Sequence, residues 1–131
     1  MILLDTNVVI AFFNGNKTVL QRIYADVDRI ALSSLVVAEL DYGAKASQKA
    51  KENLEKLHRF VDIVQVVPFD IECAKIFGTI KSKLRKLGKP TGEMDALIAA
   101  TSMAHKAVLV TGNRKHFENI GGLKVEIWSN G

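Results

Sequence analysis

The chain has 131 residues, enough for one domain and too few for a second independent core. Hydrophobic residues make up 48% and charged residues 24%, which excludes an intrinsically disordered chain, and no run of about 18 apolar residues is long enough to span a membrane. Eighteen basic against 14 acidic residues leave a net charge of +4, a balance compatible with a nucleic-acid partner but also with a solvated basic face.

Short apolar runs alternate with amphipathic stretches along the chain. Ile2-Leu3-Leu4 reads as a first strand, followed at once by Asp5. With an acid at position five and no basic stretch before it, this beginning does not read as a signal peptide, and a soluble cytosolic protein is the expectation. Asp5 alone could simply cap a helix starting near Val8, with Thr6 or Asn7 sharing the task. Val19, Leu20, Ile23 and Tyr24 then recur at helical spacing.

Ile30-Ala31-Leu32 reads as a second strand, and Ser33 and Ser34 as caps for a helix over Leu35–Ala46. On that helix Glu39 falls between Leu35 and Val36 on one side and Leu40 and Gly43 on the other, a face expected to be buried. A buried carboxylate needs a cation, a metal or a proton, and no basic residue occurs between Arg29 and Lys45. Leu54, Leu57, Phe60 and Val61 mark the next helix, and Ile63–Val67, ending at Pro68, a third strand.

Asp70 is a natural N-cap for a helix carrying Ile71, Ala74, Phe77, Ile80, Leu84 and Leu87. No acid occurs between Cys73 and Gly92, whereas Lys75, Lys81, Lys83, Arg85, Lys86 and Lys89 all do. Those residues form either an ordinary solvated face or one that contacts phosphates. Leu87–Gly92 reads as the longest loop. Met94–His105 is apolar nearly all round, hence a buried helix, with Asp95 in its first turn. An acid there is worth about 0.3–1 kcal/mol from the helix dipole alone. Val108-Leu109-Val110, followed by Thr111-Gly112-Asn113, and Val125-Glu126-Ile127 read as the last two strands.

Continuous apolar strands alternating with helices predict an α/β three-layer sandwich with a parallel sheet, which binds ligands at the carboxyl ends of its strands. The single cysteine, Cys73, excludes a disulfide and a thiolate cluster and reads as a small buried hydrophobe. His58, His105 and His116 lack the spacing of a zinc hydrolase. In this fold Asp5, Glu39 and Asp95 converge at one sheet edge, where three carboxylates call for a divalent cation. An all-oxygen set favours Mg²⁺ or Mn²⁺ and suits phosphodiester hydrolysis.

Four motifs in order carry a family resemblance: Leu3-Leu4-Asp5-Thr6-Asn7, Val37-Ala38-Glu39-Leu40-Asp41-Tyr42-Gly43, Asp95-Ala96-Leu97-Ile98-Ala99-Ala100-Thr101, and Leu109-Val110-Thr111-Gly112-Asn113 with Phe117 following. Together they resemble the PIN-domain ribonucleases. The ending Gly122-Leu123-Lys124-Val125-Glu126-Ile127-Trp128 is similar to that of the VapC toxins of toxin–antitoxin pairs.

The resemblance implies a single PIN domain over 1–131, with a five-stranded parallel sheet and a Mg²⁺- or Mn²⁺-dependent endoribonuclease activity. It implies Asp5, Glu39 and Asp95 as the acidic set holding one ion or two, with Thr6 and Thr111 in support. Asn113 stands where the family often has a fourth acid. Glu93, ahead of Asp41 and Glu118, is the candidate to replace it. Lys81, Lys83, Arg85, Lys86, Lys89, Arg114 and Lys115 are candidate contacts to the RNA backbone.

The same resemblance implies an antitoxin of the VapB type whose tail covers the cleft. It also implies homodimers, with Tyr42 or Phe77 on candidate faces, and transfer RNA as the foremost substrate. Two rival readings differ in class. A PIN-like module that binds RNA or protein without cutting is supported only by Asn113. A haloacid-dehalogenase-type phosphatase would want an acid two residues after Asp5, where Asn7 stands.

Overall fold

The computed structural model describes residues 1–128; the last three positions of the expected 1–131 domain, 129–131, lie outside the described residues. Five strands form an all-parallel sheet in the order β3-β2-β1-β4-β5. They are β1 (Ile2–Leu4), β2 (Ile30–Ser33), β3 (Gln65–Val67), β4 (Val108–Val110) and β5 (Lys124–Glu126). Six helices connect and cover them: α1 (Thr6–Phe13), α2 (Lys17–Ala25), α3 (Ser34–Ala46), α4 (Ala50–Ile63), α5 (Ile71–Leu87) and α6 (Glu93–Ala104).

Every residue of β1 and β2 is buried. Successive strand residues point to opposite faces, so both faces of the sheet centre are covered, as the continuous apolar runs require. The edge strands β3 and β5 are largely exposed. Leu3, Leu4, Leu32, Leu109, Val36 and Ile98 lie in the same core, almost wholly inaccessible to water.

The helix ends follow local chemistry. The Ser33 hydroxyl accepts from the Val36 N–H at 3.1 Å and starts α3. Asp70 accepts from the Cys73 N–H at 3.1 Å and starts α5, which lowers the Asp70 pKa below its ordinary value. Gly88 closes α5 at φ 66°, a left-handed conformation that suits glycine, with its N–H bonded to the Arg85 carbonyl at 3.1 Å.

Several boundaries differ from the sequence expectation, among them β2, which runs on to Ser33, α3, which begins at Ser34, and α6, which is Glu93–Ala104 rather than Met94–His105. The third strand begins at Gln65 rather than Ile63, because α4 continues through Ile63 and the Val64 N–H still bonds the Phe60 carbonyl at 3.2 Å. The first helix begins at Thr6, not near Val8, with Asp5 itself as its cap. The fifth strand is Lys124–Glu126; Ile127 has left it, and the following Trp128 is buried with its indole N–H donating to Glu126 Oε1 at 3.0 Å.

Strand order reverses at β1, whose successor β2 lies on one side and β4 on the other. A crevice opens beyond the carboxyl ends of strands at such a point. The chain leaves β1 there through Asp5, whose N–H bonds the Val110 carbonyl of β4 at 2.8 Å.

Because the Ser33 cap sets the start of the helix that carries Glu39, Ser33→Ala should lower the unfolding free energy by about 1 kcal/mol. Urea titration of the two proteins, followed by far-UV circular dichroism, checks this; equal midpoints would show that the cap contributes nothing.

Candidate active site

Asp5 sits in the switch-point crevice, 7% exposed. Its two oxygens are held from both sides. Oδ1 accepts from the Thr6 backbone N–H at 2.8 Å, and Oδ2 accepts from the buried Thr111 hydroxyl at 2.7 Å. The Thr111 hydroxyl oxygen in turn accepts from the Asn113 N–H at 3.1 Å. Asp5 is therefore both a helix cap and a carboxylate fixed in a single orientation.

Glu39 reaches the same crevice from α3. Its Oε1 accepts from the Thr6 hydroxyl at 2.5 Å. The expectation that Glu39 lies on a buried face is corrected: it is half-buried, at the mouth of an apolar groove with Ile10, Phe13 and Leu40. Since its helix follows β2, Glu39 lies beyond the sheet's carboxyl edge rather than under the sheet.

Asp95 enters from the first turn of α6. Burial raises its pKa, and the negative charges of Asp5 and Glu39 raise it further, against the opposing effect of His116. Asp95 thus feels the charges of both other acids. Just before α6, a side chain at Gly92 would bring its Cβ within 3.3 Å of Asp95 Oδ2, so the glycine leaves that carboxylate its room.

No lysine or arginine pairs with Asp5, Glu39 or Asp95 among the described residues. Three mutually repelling carboxylates without a cationic side chain, two of them held by hydroxyl donors, fit a hard divalent ion. Asp5, Glu39 and Asp95 are the residues that would hold it.

The other candidates divide. Glu93 does not turn toward the acids; it is exposed and pairs with Lys81 at 3.2 Å, because it lies two residues before Asp95 on the outward side of the first turn. Asp41 pairs with Lys45 at 2.8 Å. The Asn113 amide nitrogen lies 2.9 Å from His116 Nε2, and His116 Nδ1 lies 3.2 Å from Asp95 Oδ2. Sequence reasoning missed His116, although its spacing of three from Asn113 within a short turn was visible.

Lys81, Arg85 and Lys89 share one open groove of about 580 Å³ with Pro90 and Thr91. Lys83 lines a different cleft with Ile76 and Asn119, and Lys86 is exposed but lines neither. Arg114 and Lys115 are exposed in the same short turn as His116. Of the candidate contact faces between copies, Tyr42 is 75% exposed, whereas Phe77 packs edge-on against Phe69 with centroids 6.5 Å apart.

A second grouping lies ten residues further along α6, about 15 Å away by helical rise. Asp70, Cys73 and His105 bring donor atoms within 4.8 Å of one another. Cys73 is fully buried, burial pushes its thiol pKa up, and one Asp70 oxygen already serves the helix cap, so the cysteine behaves as the expected buried hydrophobe.

Comparison with known proteins agrees with this geometry. The PIN-domain model matches residues 2–123. The tRNA(fMet)-specific endonuclease VapC of Shigella flexneri is 34% identical over 128 residues, 97% of each chain. Ribonuclease VapC2 of Rickettsia felis is 34% identical over 129 residues, 96% of each chain. Among solved structures, VapBC2 from Rickettsia felis bound to a promoter DNA fragment superposes with a TM-score of 0.92 at 33% identity, covering 98% of this chain and 100% of that one. DNA-bound VapBC from Salmonella typhimurium gives 0.93 at 31% identity, covering 98% of both chains. With an all-parallel five-stranded sheet, three acids at its switch point and relatives matched along nearly their whole length, the chain belongs to the PIN-domain family and, within it, to the VapC ribonucleases.

Proposed function

We propose that residues 1–131 form a single PIN domain that hydrolyses RNA phosphodiester bonds at Asp5, Glu39 and Asp95, as the toxin of a VapBC-like pair. The observation that carries this reading is three acids acting at one crevice with no lysine or arginine paired to them among the described residues. We read the cofactor as Mg²⁺ or Mn²⁺ and the place of action as the cytoplasm. No helix of the described residues is long and apolar enough to cross a membrane.

A divalent ion bound here would polarise the scissile phosphate and lower the pKa of an adjacent water. The protein's part is to hold the ligands still. Thr6 bridges the first two acids, its N–H on Asp5 and its hydroxyl on Glu39, while Thr111 keeps Asp5 from rotating. Water oxygen bonds to phosphorus in line, the P–O3′ bond breaks, and the departing 3′-oxygen takes a proton. The products carry a 5′-phosphate and a 3′-hydroxyl.

The groove of Lys81, Arg85 and Lys89 fits the RNA backbone, since it offers cations in a row without base-reading geometry. Transfer RNA is the foremost substrate class, by similarity to a relative named for that specificity. The apolar groove that ends at Glu39, of about 220 Å³ with Lys56 on its wall, fits an apolar tail of a VapB-type antitoxin. The exposed Tyr42 marks a face for pairing with a second copy.

Four outcomes test this reading. Asp5→Asn, Glu39→Gln and Asp95→Asn should each reduce Mn²⁺-dependent cleavage of transfer RNA by about 100-fold or more, since even outer groups of a metal site are worth ~10–100-fold. Ionised Asp95 destabilises the fold at neutral pH, because its folded pKa lies above its unfolded value. Metal-free Asp95→Asn should therefore melt higher than the unsubstituted protein, and the gap should close as pH falls below the folded pKa. A lower melting temperature at neutral pH would contradict the repulsion, and retained cleavage would remove Asp95 from the chemistry.

Alanine at Lys81, Arg85 or Lys89 should weaken binding to RNAs of unrelated sequence alike and lower the salt slope of binding by about 1. Sequence-selective losses in filter-binding titrations would instead mean base contacts. A Cβ at Gly43, which lines the groove, meets no atom within 4 Å, so Gly43→Phe starts without a backbone clash and would crowd the groove. It should leave cleavage intact and weaken inhibition by the antitoxin at least tenfold, read from inhibitor titrations; unchanged inhibition would place the tail elsewhere.

A further inference from the structure

We propose that His116 is the fourth donor of the metal centre, a nitrogen in a site otherwise built from oxygen. The proposal rests on Asp5, Glu39 and Asp95 being metal ligands. Its basis is a chain of polar contacts that runs from one acid to another. Thr111 donates to Asp5 Oδ2 at 2.7 Å, and the Asn113 N–H donates to Thr111 Oγ1 at 3.1 Å. The Asn113 amide nitrogen is 2.9 Å from His116 Nε2, and His116 Nδ1 is 3.2 Å from Asp95 Oδ2. The chain starts on Asp5 and ends on Asp95, and His116 is the member that touches Asp95.

The tautomer follows from this arrangement. An amide nitrogen only donates, so Nε2 accepts and the ring proton sits on Nδ1, facing Asp95. Neighbouring ligands of a six-coordinate ion with bonds of about 2.1–2.2 Å stand about 3.0–3.1 Å apart. The 3.2 Å between Nδ1 and Oδ2 is close to that separation, so these two atoms can share one ion, and a third acid would draw closer on binding, since no third donor among the described residues lies within 4.8 Å of both.

Binding through Nδ1 shifts the ring proton to Nε2, which then needs an acceptor. Asn113 supplies one by turning its amide so that Oδ1 faces the ring. Metal-bound histidines characteristically donate their second ring N–H in this way. Asn113, standing where relatives of this family often carry an acid, thus acts on the ion through His116.

The neighbours of His116 sharpen the point. Arg114 and Lys115 share its four-residue turn and are both exposed, while Phe117 anchors the turn in the core. Either cation facing Asp95 would neutralise the carboxylate and repel an ion. The residue that does face it is the only one of the three types whose neutral, lone-pair-bearing form is ordinarily reached near neutral pH.

A nitrogen donor also has a consequence for selectivity. Imidazole suits the transition ions better than it suits Mg²⁺, so the site should favour Mn²⁺ over Mg²⁺ more strongly than three carboxylates alone would.

Pulsed electron paramagnetic resonance of the Mn²⁺-loaded full chain reads this directly. We expect modulation from a directly bound ¹⁴N that disappears in His116→Ala, although His58 and His105 are still present. By calorimetry, the ratio of Mn²⁺ to Mg²⁺ affinity should fall at least about tenfold in His116→Ala, and Asn113→Ala should lower Mn²⁺ affinity by ~10–100-fold. His116 is exposed, so its replacement leaves the fold intact, which a thermal melt verifies. Tight Mn²⁺ binding with no nitrogen modulation, or with modulation that survives His116→Ala, removes His116 and leaves the carboxylate centre standing. Absence of Mn²⁺ binding by the unsubstituted chain overturns both.

Discussion

The hydrogen bond from the Thr111 hydroxyl to Asp5 joins the two strands between which the site opens. At 2.7 Å and fully out of water, it ties the end of β4 to the end of β1. Asp5 uses its other oxygen to cap α1, so one buried carboxylate fixes a strand end, a helix start and a ligand position together. Thr6 follows it in sequence and passes the constraint to Glu39 on a different helix. The active-site geometry is therefore an extension of the backbone ladder, and it inherits the rigidity of the sheet centre, where every residue is buried.

That rigidity works against electrostatics. Asp95 is pushed toward its neutral form by burial and by the charges of Asp5 and Glu39. The protein contains 18 basic residues yet places none of its lysines or arginines on these acids among the described residues. Lys81, which could reach across the α5–α6 pair, is matched with Glu93 instead. A lysine among the acids would stabilise the fold and occupy the place of an ion. The uncompensated charge is thus local instability retained at the working site.

Much of this was legible in the sequence because it is local. The spacing from Ile71 to Leu87, the Asp70 cap and the Gly88 stop are each decided within a few residues, and α5 spans those limits. The parallel sheet was legible because continuous apolar strands have no other use. The run Ile63–Val67 was ambiguous, since β-branched residues can end a helix as well as begin a strand, and hydrogen bonding to Phe60 decided it. A helical wheel places Glu39 on an apolar face but cannot tell whether that face meets the core or a cleft beyond the sheet. The contact between Asp95 and His116, 21 positions apart, depends on how the turn after β4 folds back over α6 and leaves no periodic trace.

The basic surface and the acidic crevice are parts of one arrangement. RNA is a polyanion, and three carboxylates repel it from the position where it must be cut. In the proposed reading, cations displaced from the crevice would resolve the conflict: Lys81, Arg85 and Lys89 share a groove that could hold phosphates, and Arg114 and Lys115 are exposed on the turn beside Asp95. The crevice itself then faces only the phosphate whose charge an ion offsets. The Asn113 amide, which contacts the His116 imidazole, leaves one negative charge fewer beside the acids than a carboxylate at that position would. A site built this way would hold a divalent ion with less charge and would repel RNA less. Rigid orientation by Thr6, Thr111 and Asn113 takes over part of the work that extra charge would otherwise do.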